Sequence, residues 1–440
     1  MSKLRMESPT VVVDGGSLFW KSKVLRESER AQRLLKAELQ AKVVARNGID
    51  AMVPGVGDLA LGLDEYARLT AELPVLSANL VCGERSWPGS VVVDRGGVKL
   101  GVIGVSGELH PDCTLSQPPL DALQAELQGI GEVDAVLVLA HVGRGFGNQA
   151  AQVAGVDFVL DGADGASRKH PLQEGSAWIL GNGKRGKTLG VLKLEPVEGA
   201  ELWMDRGASE GVEERLAQRQ ERLEEAQEGL SSASPADRAK YQSRVDYYSK
   251  EVEEAEAELK AAASAAGPRS LFSNELVPLN ADVGEDTAIL AELEALTEAI
   301  AALPPQVASA PTSMGPYVGS ESCRGCHLEA WTQWAETPHA RAYASLAREN
   351  KELDASCYGC HVTGAFHPEG PQTPHEVGHL KNVGCESCHG PGRAHVADPK
   401  AGQMQGEPRV QSCTQCHDGV QDQGDFDQSS YWPRVVHTPQ

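Results

Sequence analysis

Four stretches of the chain place two thiols and an imidazole at the same spacing: Cys323-Arg-Gly-Cys326-His327, Cys357-Tyr-Gly-Cys360-His361, Cys385-Glu-Ser-Cys388-His389 and Cys413-Thr-Gln-Cys416-His417. Two thiols at this spacing can form thioethers to one porphyrin, and the histidine that follows is placed to ligate its iron axially. Zinc ribbons also use paired Cys-x-x-Cys, but the adjacent histidine is then optional. A disulfide framework needs no histidine at all. Four copies between residues 323 and 417, each with its histidine in the same place, single out four covalently bound haem c groups.

A second axial ligand decides between electron transfer and chemistry at an open metal. The same region holds six further histidines: His339, His367, His375, His379, His395 and His437. That is enough for every iron to be six-coordinate. Trp331, Trp334, Tyr343 and Tyr358 read as packing against porphyrin edges.

Haem c is attached outside the cytoplasm in bacteria. A periplasmic or extracellular protein is the expectation. The chain's start, Met1 to Pro9, has no apolar signal region, so an export signal is expected to have been removed or to precede residue 1. Eight of the ten cysteines belong to the motifs, and the other two, Cys82 and Cys113, read equally as a disulfide or as two free thiols. The net charge of −22 argues against nucleic acid and anionic membranes as partners and favours redox proteins with basic docking surfaces. No apolar run is long enough for a transmembrane helix.

Several elements must position the motifs or sit beside them. From residue 9 to about 200, short apolar runs alternate with helical stretches at 22–47, 63–72 and 119–129. The runs are 11–13, 91–93, 100–105, 135–139, 158–160 and 189–194. This is an α/β pattern whose strands are buried on both faces. Residues 210–262 differ. Val212, Leu216, Arg219, Leu223, Ala226 and Leu230 follow a 4-3-4-3-4 spacing, which Tyr241, Val245, Tyr248, Val252, Ala255 and Leu259 repeat. Arg219 is the one charge in that row. Ser234-Pro235-Ala236-Asp237 reads as a helix start between them. The expectation is an inserted antiparallel coiled-coil hairpin with arms about 30 Å long. It reads as a structural insertion, or as a docking arm for a partner or a second copy. A strand near 271–279 and a helix from about 285 follow, and 303–316 has linker composition.

The expected domains are therefore an α/β layered unit at 1–205 and 268–302, the hairpin at 206–267, a linker at 303–316, and a small, mostly helical or irregular haem domain at 317–440.

The flanks of the motifs carry a resemblance. Tyr317-Val-Gly-Ser-Glu-Ser-Cys323 with Thr337-Pro-His339-Ala, then Cys357-Tyr-Gly-Cys-His361-Val-Thr-Gly, then Val383-Gly-Cys385-Glu-Ser-Cys-His389-Gly-Pro-Gly-Arg, resemble the first three haem regions of the tetrahaem cytochrome c-554 family. The likeness spans roughly 317–420. It implies that His339 crosses over to the third haem, with His389, and that His395 serves the first, with His327. For the fourth haem the candidate is His437. The second haem is five-coordinate in that family, and here His379 or His375 is available to fill the position, so that point stays open.

The first half resembles the metallophosphoesterase domain of 5′-nucleotidases. The likeness rests on Ile49 to Gly62 with Leu73-Pro-Val-Leu-Ser-Ala-Asn-Leu, on Asp134 to Gly143, and on Val156 to Gly165. A two-metal phosphoesterase needs carboxylates, an amide and several imidazoles. At the matching positions stand Ser17, Val56, Gly57, Ala163 and Gly165, leaving His141 and Asp14. The resemblance therefore implies a layered sandwich without divalent metal and without phosphoesterase activity. Gly181-Asn-Gly-Lys-Arg-Gly186-Lys187-Thr188 matches a phosphate-loop string, but a strand follows it where that loop needs a helix N-terminus.

The expected function is electron transfer between redox partners. The alternatives are reduction of a small nitrogen compound at a five-coordinate haem and metal-dependent nucleotide hydrolysis.

Overall fold

The computed structural model describes residues 2–20, 23–183, 186–200, 202–234, 237–264, 268–304, 315–365, 367–400, 404, 406, 408–417 and 426–437. Most of the expected linker, residues 305–314, and the middle of the phosphate-loop string, 184–185, lie outside that set.

The chain forms two compact units. One comprises residues 1–23 and 44–284, the other 24–43 and 285–440. This boundary differs from the expected one at two places. Residues 24–43, most of the helix Arg30–Asn47, cluster with the haem motifs, as does the helix Thr287–Ala301. An amphipathic helix declares which face it buries but not which unit covers it, so periodicity alone could not place these segments.

The first unit is built on a six-stranded sheet in the order Leu172–Glu174, Ala177–Leu180, Phe158–Asp161, Ala135–His141, Val98–Ser106, Ser90–Arg95. Its inner pairings are parallel and its two outer ones antiparallel. Ala135–His141 is buried along its whole length, as a strand covered on both faces must be. One face packs Ile103, Val138, Val159 and Ile179 against Leu123 and Phe146 of the helices Pro119–Gly129 and Phe146–Ala151. The other face packs Phe158 and Trp178 against Trp203 and Phe272, which belong to a second sheet of Thr188–Glu195, Ser270–Pro278 and Trp203–Asp205. The rings meet edge to face, with centres 5.0 to 5.3 Å apart. A small third sheet pairs Leu80–Cys82 with Cys113–Leu115, and Cys82 and Cys113, directly opposite, are joined by a disulfide.

Two helices, Ala208–Ser232 and Arg238–Ser264, lie side by side in this unit. At 25 and 27 residues they run about 38 to 40 Å, longer than expected. Ala226 and Ala255 are buried, and the missing side chain of Gly229 makes room for the Tyr241 ring. Arg219, the charge in the apolar row, pairs with Glu251 of the facing helix at 3.2 Å. The side chains of Val212 and Leu259 lie outside the described set.

The second unit is a set of short helices joined by turns. Its apolar core is small: Leu346, Tyr358, Val362, Ala365 and Val377. So small a side-chain core leaves most of the interior to something else. Among the described residues no helix is long and apolar enough to cross a membrane.

Candidate haem sites

Each motif sits where a short helix or turn presents its thiols and imidazole inward. His327 precedes the helix Leu328–Glu336, Cys357 lies in Ala355–Tyr358, the third motif forms the helix Cys385–His389, and Cys413 lies in Val410–Thr414. All eight motif cysteines and all four proximal histidines line one cavity of about 2010 Å³. A single drug-sized ligand occupies roughly 300–1,000 Å³, so this space is too large for one small molecule. His339, His367, His395 and His437 line it too.

Metal–imidazole bonds run about 2 Å, so two rings facing one another across an iron have centres about 6 Å apart. Three histidine pairs stand at that separation. His327 and His395 lie 6.2 Å apart and nearly parallel, at 29°. His339 and His417 are 6.2 Å apart, and His389 and His437 are 5.6 Å apart. The first pair is the expected one. The other two exchange partners relative to the expectation: His339 faces the fourth motif and His437 the third. The cause is tertiary. Gln333 donates to the Val436 carbonyl at 2.6 Å, which holds the tail beside the helix Leu328–Glu336 and delivers His437 to the third motif. Burial pushes His339 down, and His417 beside it acts in the same direction, which favours the neutral imidazole that ligation requires.

His361 is different. Its Nδ1 lies 2.6 Å from the Ala342 carbonyl, leaving Nε2 for a metal. Among the described residues no histidine ring pairs with it. His379 is exposed in a turn beside Gly319, and His375 is exposed as well, so neither lines the cavity. His367 does line it, against Tyr317.

Further features fit porphyrin rather than a metal cage. The Trp331 indole N–H is buried in the cavity wall with no protein partner, a donor suited to a carboxylate such as a haem propionate. Trp334 also lines the cavity, whereas Tyr358 is absorbed into the apolar core. No three ligands converge as a metal-ion cage among the described residues. The anchors of different motifs are adjacent: Cys323 lies within hydrogen-bond reach of Cys385, and Cys388 lies near Cys413.

Sequence reasoning missed the wall behind the second motif. Gln32 donates to the Leu353 carbonyl at 2.8 Å and accepts from the Ala355 amide at 2.9 Å. The Lys36 ammonium lies 2.6 and 2.7 Å from the two oxygens of Asp354, which caps the helix carrying Cys357. Although burial favours the protonated acid, Lys36 and Ser356 outweigh it and hold Asp354 below the usual carboxylate range.

In the first unit the residues flagged by the nucleotidase resemblance do converge, at the carboxyl ends of Val13–Asp14 and Ala135–His141. His141 Nδ1 lies 3.0 Å from the Gly15 carbonyl and its Nε2 3.5 Å from the Ser17 hydroxyl. Asp14 accepts from the Gly16 amide. Asp58, not singled out from the sequence, is fully buried and accepts from the amides of Ser17, Phe19 and Gly55 at 2.7 to 2.9 Å. Burial pushes it up to about 7 against those donors. A Cβ on Gly55 would fall 2.1 Å from the Ser17 amide, so the loops close directly on one another.

No curated protein matches the chain. Among solved structures, the Thermus thermophilus sulfate thiohydrolase SoxB, in complex with glycerol, is similar at 23% identity over 43% of this chain and 36% of its own length, with a TM-score of 0.37. The chain thus spans about a third of that protein. The calcineurin-like phosphoesterase YfkN from Bacillus subtilis is similar at 18% identity over 45% of this chain and 75% of its own, with a TM-score of 0.34. Residues 322–390, which hold the first three motifs, match the family described as cytochrome c554 and c-prime.

Proposed function

We propose that the protein is an extracytoplasmic tetrahaem c-type cytochrome that passes electrons between redox partners. The single observation carrying this reading is the cavity on which every motif cysteine converges, with three histidine pairs at the spacing of two imidazoles across one iron. Bound haem supplies one-electron iron chemistry. The chain's part is to anchor, orient and ligate. The eight thiols fix four porphyrins. His327 with His395, His389 with His437 and His417 with His339 would hold three of the irons. The adjacency of Cys323 with Cys385, and of Cys388 with Cys413, supports a packed series from the first haem through the third to the fourth. The charge of −22 favours a basic partner. Cytochrome reduction by a low-potential donor, followed by reoxidation with a basic protein acceptor, tests the role. Exchange that is slow and insensitive to ionic strength would count against it.

A second reading is favoured by one observation, the absence of an imidazole facing His361 among the described residues. A haem held by His361 alone would leave room at its iron for a small ligand, and reduction of a small nitrogen compound would be the matching activity. Binding of carbon monoxide or nitric oxide to one haem in four supports this reading, and wholly low-spin spectra exclude it. The first unit acts as a scaffold without divalent metal or phosphoesterase activity. The amides that occupy Asp14 and Asp58 support this. The paired helices Ala208–Ser232 and Arg238–Ser264 form an antiparallel coiled coil, supported by the Arg219–Glu251 and Gly229–Tyr241 registers.

A further inference from the structure

Glu386 stands between the two cysteines of the third motif, a place where the attachment chemistry asks nothing of the side chain. It is nevertheless 2% exposed. No cation pairs with it among the described residues, and its carboxylate accepts from backbone amides instead. Gly392 donates at 2.7 Å, Gly319 at 2.7 Å, and Val318 at 3.0 and 3.1 Å to the two oxygens. A buried carboxylate is costly unless its lone pairs are filled, and these donors fill them.

The donors come from two particular places. Val318 and Gly319 lead into Cys323 and His327. Gly392 opens the helix Arg393–Ala397, which carries His395. One carboxylate from the third motif therefore ties down both sides of the His327–His395 pair. Its neighbours make related links: the Cys385 amide donates to the Ser320 hydroxyl, and the Gly384 amide to Thr363 beside the second motif. Arg393 adds a parallel clamp, donating from its side chain to the Gly315 carbonyl at 2.6 Å.

We infer that Glu386 is a positioning residue for the axial pair of the first haem, and that its buried charge acts on the first and third haems together, whose anchors Cys323 and Cys385 adjoin. This rests on the haem reading above. It goes further by making ligation at one iron depend on a side chain in another haem's attachment loop.

The test uses the full-length, haem-loaded protein. Pyridine haemochrome counting, electron paramagnetic resonance and redox titration are applied to Glu386→Gln, with Glu376→Gln as a control. Glu376 is another carboxylate of this unit that accepts from backbone amides, away from the axial pairs. Glutamine keeps the shape but turns an N–H₂ group toward an amide donor. The expected result is an unchanged haem count, loss of one low-spin signal per chain, and a joint upward shift of two midpoint potentials, with none of these changes in the control. In a His395→Ala background, Glu386→Gln should add no further high-spin signal. Should Glu386→Gln fail to accumulate, Arg393→Ala decides, and a partial loss of the same low-spin signal supports the inference. Full retention of all low-spin signals and potentials in the accumulating variant overturns it. A wild-type chain without haem overturns the underlying reading instead.

Discussion

The contact between Lys36 and Asp354 joins a segment near the start of the chain to the loop of the second motif, and its worth can be worked out. The ammonium contacts both carboxylate oxygens and the Ser356 hydroxyl, at 2.6 to 2.7 Å. The two side chains are 20% and 16% exposed, so the pair is largely but not wholly removed from water. Breaking a fully buried pair costs about 3–5 kcal/mol, whereas an exposed pair is worth at most about 1 kcal/mol. Lys36→Met should fall between, at about 2 kcal/mol. Asp354→Asn should cost about the same, because asparagine can keep the helix cap and the loss is that of the ion pair. The double variant should cost little more than either, giving a coupling of about 1–2 kcal/mol. Urea denaturation at pH 7, followed by Soret absorbance, measures all four corners of the cycle. Because Asp354 is held below its unfolded value, its stabilisation is present above a pH of about 4 and is lost as pH falls through the lower folded value. The wild type and Asp354→Asn should therefore converge in strong acid. A coupling below about 0.3 kcal/mol at pH 7 would refute the clamp.

Other outcomes follow from the same geometry. His437→Ala should convert one haem to high spin, read at the third motif, whereas His379→Ala should leave every haem spectrum unchanged. In the first unit the sign of the pH effect is opposite. Burial pushes Asp58 up to about 7 and Asp157 to about 6, so the stability linked to them is present below a pH of about 4 and is lost as pH rises through those values. For Asp58 the span amounts to roughly 4 kcal/mol. Asp58→Asn should flatten the pH dependence of the first unit's melting temperature between pH 4 and 7, whatever its absolute cost. Added manganese or magnesium should elicit no hydrolysis of nucleotide monophosphates, as measured by phosphate release.

What could be read in advance was whatever is local. Thiols and proximal imidazoles are set by spacing along a single turn, so Cys323 to His417 were legible at once. The central parallel strands Val98–Ser106, Ala135–His141 and Phe158–Asp161 announce themselves as unbroken apolar runs, whereas their parallel neighbour Ala177–Leu180 escapes the sequence reading; the helical pair shows as two rows at heptad spacing. Arg219 looked like a flaw in its row because its partner, Glu251, lies on the other helix. The second axial ligands are long-range choices. Which motif histidine His339 and His437 each face depends on how the tail docks near Gln333. His379 was a candidate by residue type alone, and only its exposure sets it aside. Asp58 and Glu386 carry no motif. Each is one carboxylate whose meaning is the set of amides folded around it. The helix Arg30–Asn47 shows a periodicity that would suit either unit, and Gln32 and Lys36 reveal their role only through Leu353 and Asp354.

The most direct test of the account is the haem count per chain by pyridine haemochrome, combined with the spin state of each iron by electron paramagnetic resonance of the oxidised protein. The account predicts four haem c groups per chain, with low-spin irons of two imidazoles each at the first, third and fourth motifs; the spin state of the iron at His361 separates the two readings. Fewer than four haems, or a high-spin signal at the iron of His327, His389 or His417, would contradict it.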